Sequence, residues 1–358
     1  MTDNRLSRRS FLATAGAGLA VPVLASTDPS VPCLNSPSAA PALVLPRALK
    51  AADTLGVVSP AGATYERATI EIALETLSAM GFKVKPSQHL AARYGHFAGT
   101  DQQRAHDLNA MFADPEVDGI FALTGGSGCT RIVDLLDYPL IQRNPKFFGG
   151  FSDITVLLNA IHQRTGLVTF HSPTASSAWN PYSLDNFRRI VMRGEATTLV
   201  NPIAEEELPT QRKFRTRTIV PGRARGRLIG GNLTVLATLA GTRHWPNLDG
   251  AILFVEDINE YLYRLDRVFA HLRAAGAFAR LAGVVLGQFT ECTPGDGAFG
   301  TLTLEEIFAD YFGGLGIPVF SGAMIGHVAE KMTIPIGLMA EIDATRGSIR
   351  LLQPAVRV

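Results

Sequence analysis

Four short segments of the 358-residue sequence carry residue types that could do chemistry. The sharpest is Phe147-Phe148-Gly149-Gly150-Phe151-Ser152-Asp153-Ile154-Thr155, in which an apolar run ends in two glycines and a single serine sits on the bend before an apolar-striped segment. That is the order of a strand, a tight turn and a helix. A serine there serves either as the helix N-cap or as a nucleophile held at the sheet edge near the positive end of the helix dipole. The run departs from G-x-S-x-G, because Asp153 follows the serine and no glycine comes after it.

Leu123-Thr124-Gly125-Gly126-Ser127-Gly128 is a second candidate, since backbone amides of a glycine-rich turn can converge on a phosphate or on the oxyanion of a tetrahedral intermediate. It has neither the lysine of a nucleotide phosphate loop nor the G-x-G-x-x-G spacing, which weighs against nucleotide binding. Cys129 adjoins this turn, but with no histidine close in sequence it ranks as a small core residue well before a nucleophile. Third, Phe254-Val255-Glu256-Asp257-Ile258-Asn259-Glu260 places acids after an apolar strand, where a carboxylate can orient a histidine, bind a metal or cap a helix. Capping is the default for Asp257 and Asn259. Fourth, Gly322-Ala323-Met324-Ile325-Gly326-His327 sets a histidine after a glycine in apolar surroundings, a place open to a structural or a catalytic imidazole.

The elements that must position these groups follow from periodicity. Thr54 to Ser59 reads as a buried strand, and Ile70, Ala73, Leu74 and Leu77 then recur at helical spacing up to Gly81. The pattern repeats through strands at 82–84, 119–123 and 147–150, a helix at 101–112, and a helix whose stripe is Val156, Leu157, Ala160 and Ile161. Alternating strands and helices predict an α/β fold with a mostly parallel sheet covered on both faces, and the reactive groups of such sheets lie at the carboxyl ends of the strands. The domain expectation is an N-terminal α/β domain over 51–175, a link over 176–218 and a C-terminal domain over 219–358. The last should hold helices at 232–240 and 261–274 and strands at 251–255 and 284–289.

Composition sets the outer bounds. The chain is 46% hydrophobic and 18% charged, with a formal net charge of +1 and no long block of like charge, so it offers no electrostatic reason to expect nucleic acid or an anionic membrane as partner. Cys33, Cys129 and Cys292 are isolated from one another and make no metal or disulfide pattern. Ser7-Arg8-Arg9-Ser10-Phe11-Leu12, followed by an uncharged run closing at Ala25, reads as a twin-arginine (Tat) export signal over 1–25. The apolar run falls short of the ~20 residues a spanning helix needs, so cleavage and a periplasmic product are expected and a stable membrane anchor is not. Residues 26–50, rich in Pro, Ser and Ala, read as a flexible leader.

Taken together, the segments resemble the LD-carboxypeptidase family of serine peptidases, which includes the microcin C immunity peptidases. The resemblance runs from about Leu55 to the C-terminus through Ser59-Pro60-Ala61-Gly62, Phe97-Ala98-Gly99-Thr100, Gly125-Gly126, Gly150-Phe151-Ser152-Asp153, Gly230-Gly231-Asn232-Leu233, Glu256-Asp257-Ile258-Asn259-Glu260 and Gly326-His327. It implies Ser152 as nucleophile, Glu256 as the acid and His327 as the base, with the oxyanion held by N–H groups of Gly125, Gly126 and Asp153. It also implies a smaller, β-rich C-terminal domain, a homodimer, and a murein tetrapeptide stem as substrate, cut before its terminal D-Ala without a metal or other cofactor. The family often has Arg before the Gly-Gly turn and an aromatic residue after it; Thr124 and Ser127 stand there instead. Arg131, Arg243 and Arg264 are candidates for binding a substrate carboxylate. The rival readings are an amidase acting on another peptide or aminoacyl conjugate, and a periplasmic peptide-binding protein without chemistry.

Overall fold

The computed structural model describes residues 41–203, 210–295 and 300–358. The export signal and Cys33 lie outside the described residues. In chain order the first strands and helices are β1 (Thr54–Val58), α1 (Arg67–Ala79), β2 (Lys83–Pro86), α2 (Asp101–Ala113), β3 (Gly119–Ala122), α3 (Cys129–Ile132), α4 (Tyr138–Arg143), β4 (Phe147–Gly150), α5 (Thr155–Thr165) and β5 (Thr169–His171). They are followed by α6 (Pro181–Phe187), β6 (Thr198–Leu199), β7 (Arg217–Val220), β8 (Arg223–Asn232), α7 (Leu233–Ala237), β9 (Ile252–Ile258), α8 (Leu262–Ala274) and β10 (Gly283–Thr290). The chain closes with α9 (Leu304–Phe312), β11 (Val319–Ser321), β12 (Ile334–Ile336), β13 (Met339–Asp343) and β14 (Ser348–Leu351).

The strands form two sheets. The first has the order β12-β5-β4-β3-β1-β2 and is parallel except for β12. Its inner strands are apolar on both faces, as a sheet covered by helices on each side requires; every residue of β3 and β4 is buried. Phe121, Phe147, Phe170 and Phe187 pack against one another there with ring centroids 4.9–5.7 Å apart. The second sheet has the order β6-β14-β13-β8-β9-β10-β11-β7, with a parallel centre from β8 to β11 and antiparallel flanks. Its helix α8 buries Leu265, Phe269 and Leu272, one stripe of an amphipathic face.

Helix α5 joins the two sheets. It starts three residues after Ser152, and the Asn159 side chain donates to the carbonyl of Gly230 in β8 at 2.9 Å. Thr155 Oγ1 accepts the N–H of Asn232 at 2.9 Å, and a Cβ on Gly231 would lie 2.4 Å from that hydroxyl, so a glycine is what lets helix and strand approach this closely.

Three expectations need correction. The packed chain starts before Ala51: Ala48 and Leu49 are buried, and the backbone of Val44 pairs with that of Leu167, because the apolar residues of this Pro/Ala-rich stretch find a place on the first sheet. Residues 176–218 are more than a link. Asn180 accepts the N–H of Ser183 as N-cap, Pro181 takes the first helical position, and α6 runs on into a π-helical turn over Arg188–Met192 that buries Ile190 and Val191. Finally, β9 extends to Ile258, so Glu256 and Asp257 stand within a paired strand, Glu256 opposite Asn232, instead of beyond its end.

Candidate active site

Ser152 lies two residues past β4, and its φ of +64° is a left-handed backbone that only a few residue types tolerate. The bend turns the chain from β4 into the helical turn Ser152–Ile154 and then α5, which is the strained geometry of a nucleophile elbow. Of the two meanings open for this serine, the N-cap is not what the structure shows, since no side-chain cap bond is made at either helix start here.

The glycine-rich turn after β3 presses against this serine. A Cβ on Gly125 would lie 2.8 Å from Ser152 Cβ and 3.0 Å from its Oγ. Behind it, Gly62 donates its N–H to the carbonyl of Gly125 at 3.1 Å, and Gly126, with φ +120°, is backed against the Gly62 backbone. Among the described residues, no backbone carbonyl accepts the N–H of Gly125 or Gly126. Both donors are therefore available to a ligand oxygen. The Asp153 side chain faces inward and accepts the N–H of Cys129 at 2.8 Å, pinning the far end of the same turn, and burial pushes its carboxyl above the ordinary range. Arg104, fully buried, ties the turn down from below by donating to the carbonyls of Pro60 and Gly128.

Glu256 and His327 come from the second sheet. His327 Nδ1 and Glu256 Oε2 are 2.7 Å apart, and Glu256 has no exposed surface. Burial would raise this carboxyl, but the nearby His171 imidazole and the hydrogen bond with His327 outweigh it and hold the group at about 2. The carboxylate is thus charged at neutral pH and fixes the imidazole with Nε2 outward. Gly326 makes the contact possible: its φ is +113°, and a Cβ would meet Glu256 Oε2 at 2.4 Å. The ring of His327 meets that of Phe151, the neighbour of Ser152, at 4.9 Å, which brings the Glu256–His327 pair to the bend at Ser152. Lys331 reaches the same place, its ammonium 4.7 Å from the Phe151 ring, and burial lowers its pKa to about 8.

Other candidates fall elsewhere. Cys129 is buried, and burial together with nearby Asp153 pushes its thiol pKa up, which weighs against it as a nucleophile. Neither Asp257 nor Asn259 caps the helix that follows, since α8 has Tyr261 at its N-cap and no side-chain cap bond; Asp257 instead accepts the N–H and hydroxyl of Thr234 in the first turn of α7 and the Asn232 amide. Arg131 is engaged by Asp101, Arg243 by Asp134, and Arg264 lies 3.7 Å from Glu260, so each already has an acid at hand. His171 was not singled out by sequence reasoning: it is buried in β5, with Nε2 3.9 Å from Glu256 Oε1. The only signal for it was a histidine closing a short apolar strand. Among the described residues one cluster, His89, His106 and Asp107, could hold a metal; it lies by the edge strand β2, and Asp107 already accepts from His89. A groove of about 620 Å³ opens beside the His327 segment, with Arg215, Gln288, Met324, Val328 and Ala329 in its lining.

A serine held against free backbone donors, with a buried carboxylate and its histidine delivered from a second sheet, is the equipment of serine-type hydrolases. Comparison with known proteins narrows this class. Residues 55–172 match the LD-carboxypeptidase N-terminal domain and residues 225–342 the LD-carboxypeptidase C-terminal domain. The chain is 36% identical over 305 residues to a Bacillus subtilis (strain 168) protein named "Probable murein peptide carboxypeptidase", covering 83% of this chain and 91% of that one. It is 34% identical over 299 residues to the murein tetrapeptide carboxypeptidase of Pseudomonas aeruginosa, covering 82% and 94%. In three dimensions it is similar to MccF, the microcin C7 self-immunity protein, solved with glutamyl sulfamoyl guanosine: TM-score 0.79, 25% identity, 87% of this chain and 99% of that one. The chain belongs to the LD-carboxypeptidase family and is a serine-type peptidase.

Proposed function

We propose that the protein releases the terminal D-Ala from murein tetrapeptide stems through an acyl-enzyme on Ser152. The observation that carries this reading is the Glu256–His327 hydrogen bond set against the left-handed Ser152. His327 removes the proton of Ser152 as its Oγ attacks the scissile carbonyl, and the charged Glu256 stabilises the imidazolium that forms. The carbonyl oxygen turns into the N–H groups of Gly125, Gly126 and Asp153; one such donor is typically worth ~3 kcal/mol in the transition state. His327 then protonates the departing amine of D-Ala, and water, deprotonated by the same imidazole, releases the acyl group. The names of the relatives from Bacillus subtilis and Pseudomonas aeruginosa support the substrate class.

The test is stereochemical. Tetrapeptide stems ending in D-Ala and in L-Ala are incubated with the protein and the products read by mass. Release of D-Ala with the L-analogue intact is expected, because inversion exchanges the places of carboxylate and methyl while the carbonyl must stay within ~3 Å of Oγ. Equal cleavage of both would favour an amidase of wider scope, a reading that the likeness to MccF and the departures at Thr124 and Ser127 keep in play. A tetrapeptide bound but uncut would favour the binding-protein reading.

We also propose export by the Tat route to the periplasm, on the Ser7-Arg8-Arg9-Ser10-Phe11-Leu12 segment and the short apolar run behind it. A reporter fused after Ser26 should lose export when Arg8 and Arg9 become Lys; unchanged export would contradict it. A homodimer, the assembly implied by the family, is tested by sedimentation equilibrium, where a monomer at all concentrations would refute it.

A further inference from the structure

We propose that His171 is a positioning residue for the reaction: it holds the second oxygen of Glu256 and so sets the place of the His327 imidazole relative to Ser152. The inference rests on the triad reading above. His171 is buried, and neither of its ring nitrogens has a hydrogen-bond partner; Glu256 Oε1, equally buried, has none either. Buried polar groups are nearly always satisfied. These two face each other at 3.9 Å, and a closing of about 1 Å brings Nε2 and Oε1 into hydrogen-bond range.

The His171 ring is flanked by those of Phe254 at 5.6 Å and Phe151 at 6.1 Å, which accept no conventional hydrogen bond, and the unpartnered Glu256 Oε1 is the acceptor that a proton on Nε2 would meet. Glu256 then receives one imidazole from each sheet: His327 on Oε2, from the loop after β11, and His171 on Oε1, from β5. A carboxylate gripped at one oxygen can swing; one gripped at both cannot.

The position of His171 in its sheet gives this grip a purpose. His171 pairs with Gly150 in β4, two residues before Ser152, and on its other side with Ile334 in β12. The strand that delivers the nucleophile and the strand that delivers His171 are thus locked in register. The path Ser152, Gly150, His171, Glu256, His327 acts as a gauge between nucleophile and base, set by two side-chain contacts and one strand pairing.

The test compares His171→Gln, whose amide N–H falls near the place of Nε2, with His171→Phe, which fills the space without a donor. For His171→Phe we expect kcat to fall roughly 10- to 100-fold with KM unchanged, the range seen when an outer partner that orients a functional histidine is removed. His171→Gln should recover most of that loss. The far-downfield proton resonance of the His327 Nδ1–Glu256 hydrogen bond should persist in the wild type and His171→Gln, and broaden or move upfield in His171→Phe. A role in packing alone would leave that resonance in place. If His171→Phe does not fold, His171→Asn, whose shorter amide cannot reach Oε1, takes its place with the same expectation. Wild-type kcat and resonance in the donor-less variant, or equal impairment of His171→Gln, would overturn the inference. Ser152→Ala serves as the separate control: undiminished turnover in it would sink the triad reading, whereas the resonance still reports on the contact between His171 and Glu256.

Discussion

The two halves of the site are built from different physics. On the first sheet Ser152 is placed by backbone: its own left-handed φ, glycines at 62, 125 and 126 that let three chain segments touch, and a buried Arg104 and Asp153 bonded to backbone atoms. At the second sheet His327 is placed by charge: Glu256 in β9 holds it, with His171 of the first sheet facing the other carboxylate oxygen and Lys331 nearby. An added atom disturbs either half, at Gly125 or at Gly326, whereas loss of charge bears hardest on the second, where the buried Glu256 carboxylate holds His327. Substitutions should sort accordingly.

The largest effect belongs where the halves meet. Ser152→Ala should lower kcat by roughly 10⁴- to 10⁶-fold, as loss of the nucleophile does in serine hydrolases, while leaving the far-UV spectrum and melting temperature near those of the wild type. Steady-state D-Ala release measures it. Next, Glu256→Gln keeps the shape of the charge-built half but removes its charge and presents the wrong partner to His327; kcat should fall about 10³- to 10⁴-fold.

Gly125→Ala probes the backbone-built half with a single methyl. Its Cβ would stand 2.8 Å from Ser152 Cβ, so either the serine or the donor turn must shift. A fall of about 10²- to 10³-fold in kcat, comparable to loss of an oxyanion donor, is expected with no change in the pH dependence of stability. The last prediction concerns stability alone. The pKa of Glu256 is held below its ordinary 4.5, at about 2 in the folded chain. A depressed carboxyl contributes stability that is present above its ordinary value and is lost as pH falls through the folded one. The wild type should therefore lose melting temperature more steeply than Glu256→Gln between pH 4.5 and pH 2, as calorimetry at stepped pH would show; parallel curves would contradict it.

How much of this could be read in the sequence follows the same division. Strand β4 begins and ends where its apolar run and paired glycines say, and α2 starts at the Thr100 cap, because local periodicity and turn chemistry report on local structure. Ser152, Glu256 and His327 each stand in a short motif; in the structure Glu256 bonds His327, whose ring packs on Phe151, the neighbour of Ser152. The rest was hidden for a physical reason. His171 meets Glu256 across 85 positions of chain, and β12 crosses from the C-terminal part to close the first sheet; neither contact leaves a period in the sequence. Arg131 and Arg243 look like free cations until folding sets Asp101 and Asp134 beside them. The helix at 181–187 escaped notice because its start signal, Asn180-Pro181, sits in a polar stretch with a broken apolar stripe.

The central claim is that Ser152 carries the acyl group. It is tested most directly with a phosphonofluoridate analogue of the murein tetrapeptide, in which an electrophilic phosphorus stands where the scissile carbonyl would be and Ser152 Oγ displaces fluoride from it. After reaction the protein is weighed intact and mapped by peptide mass. The account predicts one label per chain, on Ser152, formed in step with the loss of D-Ala release and absent from Ser152→Ala. A label on Cys129 or any other residue in step with inactivation, or full D-Ala release by Ser152→Ala, would contradict it.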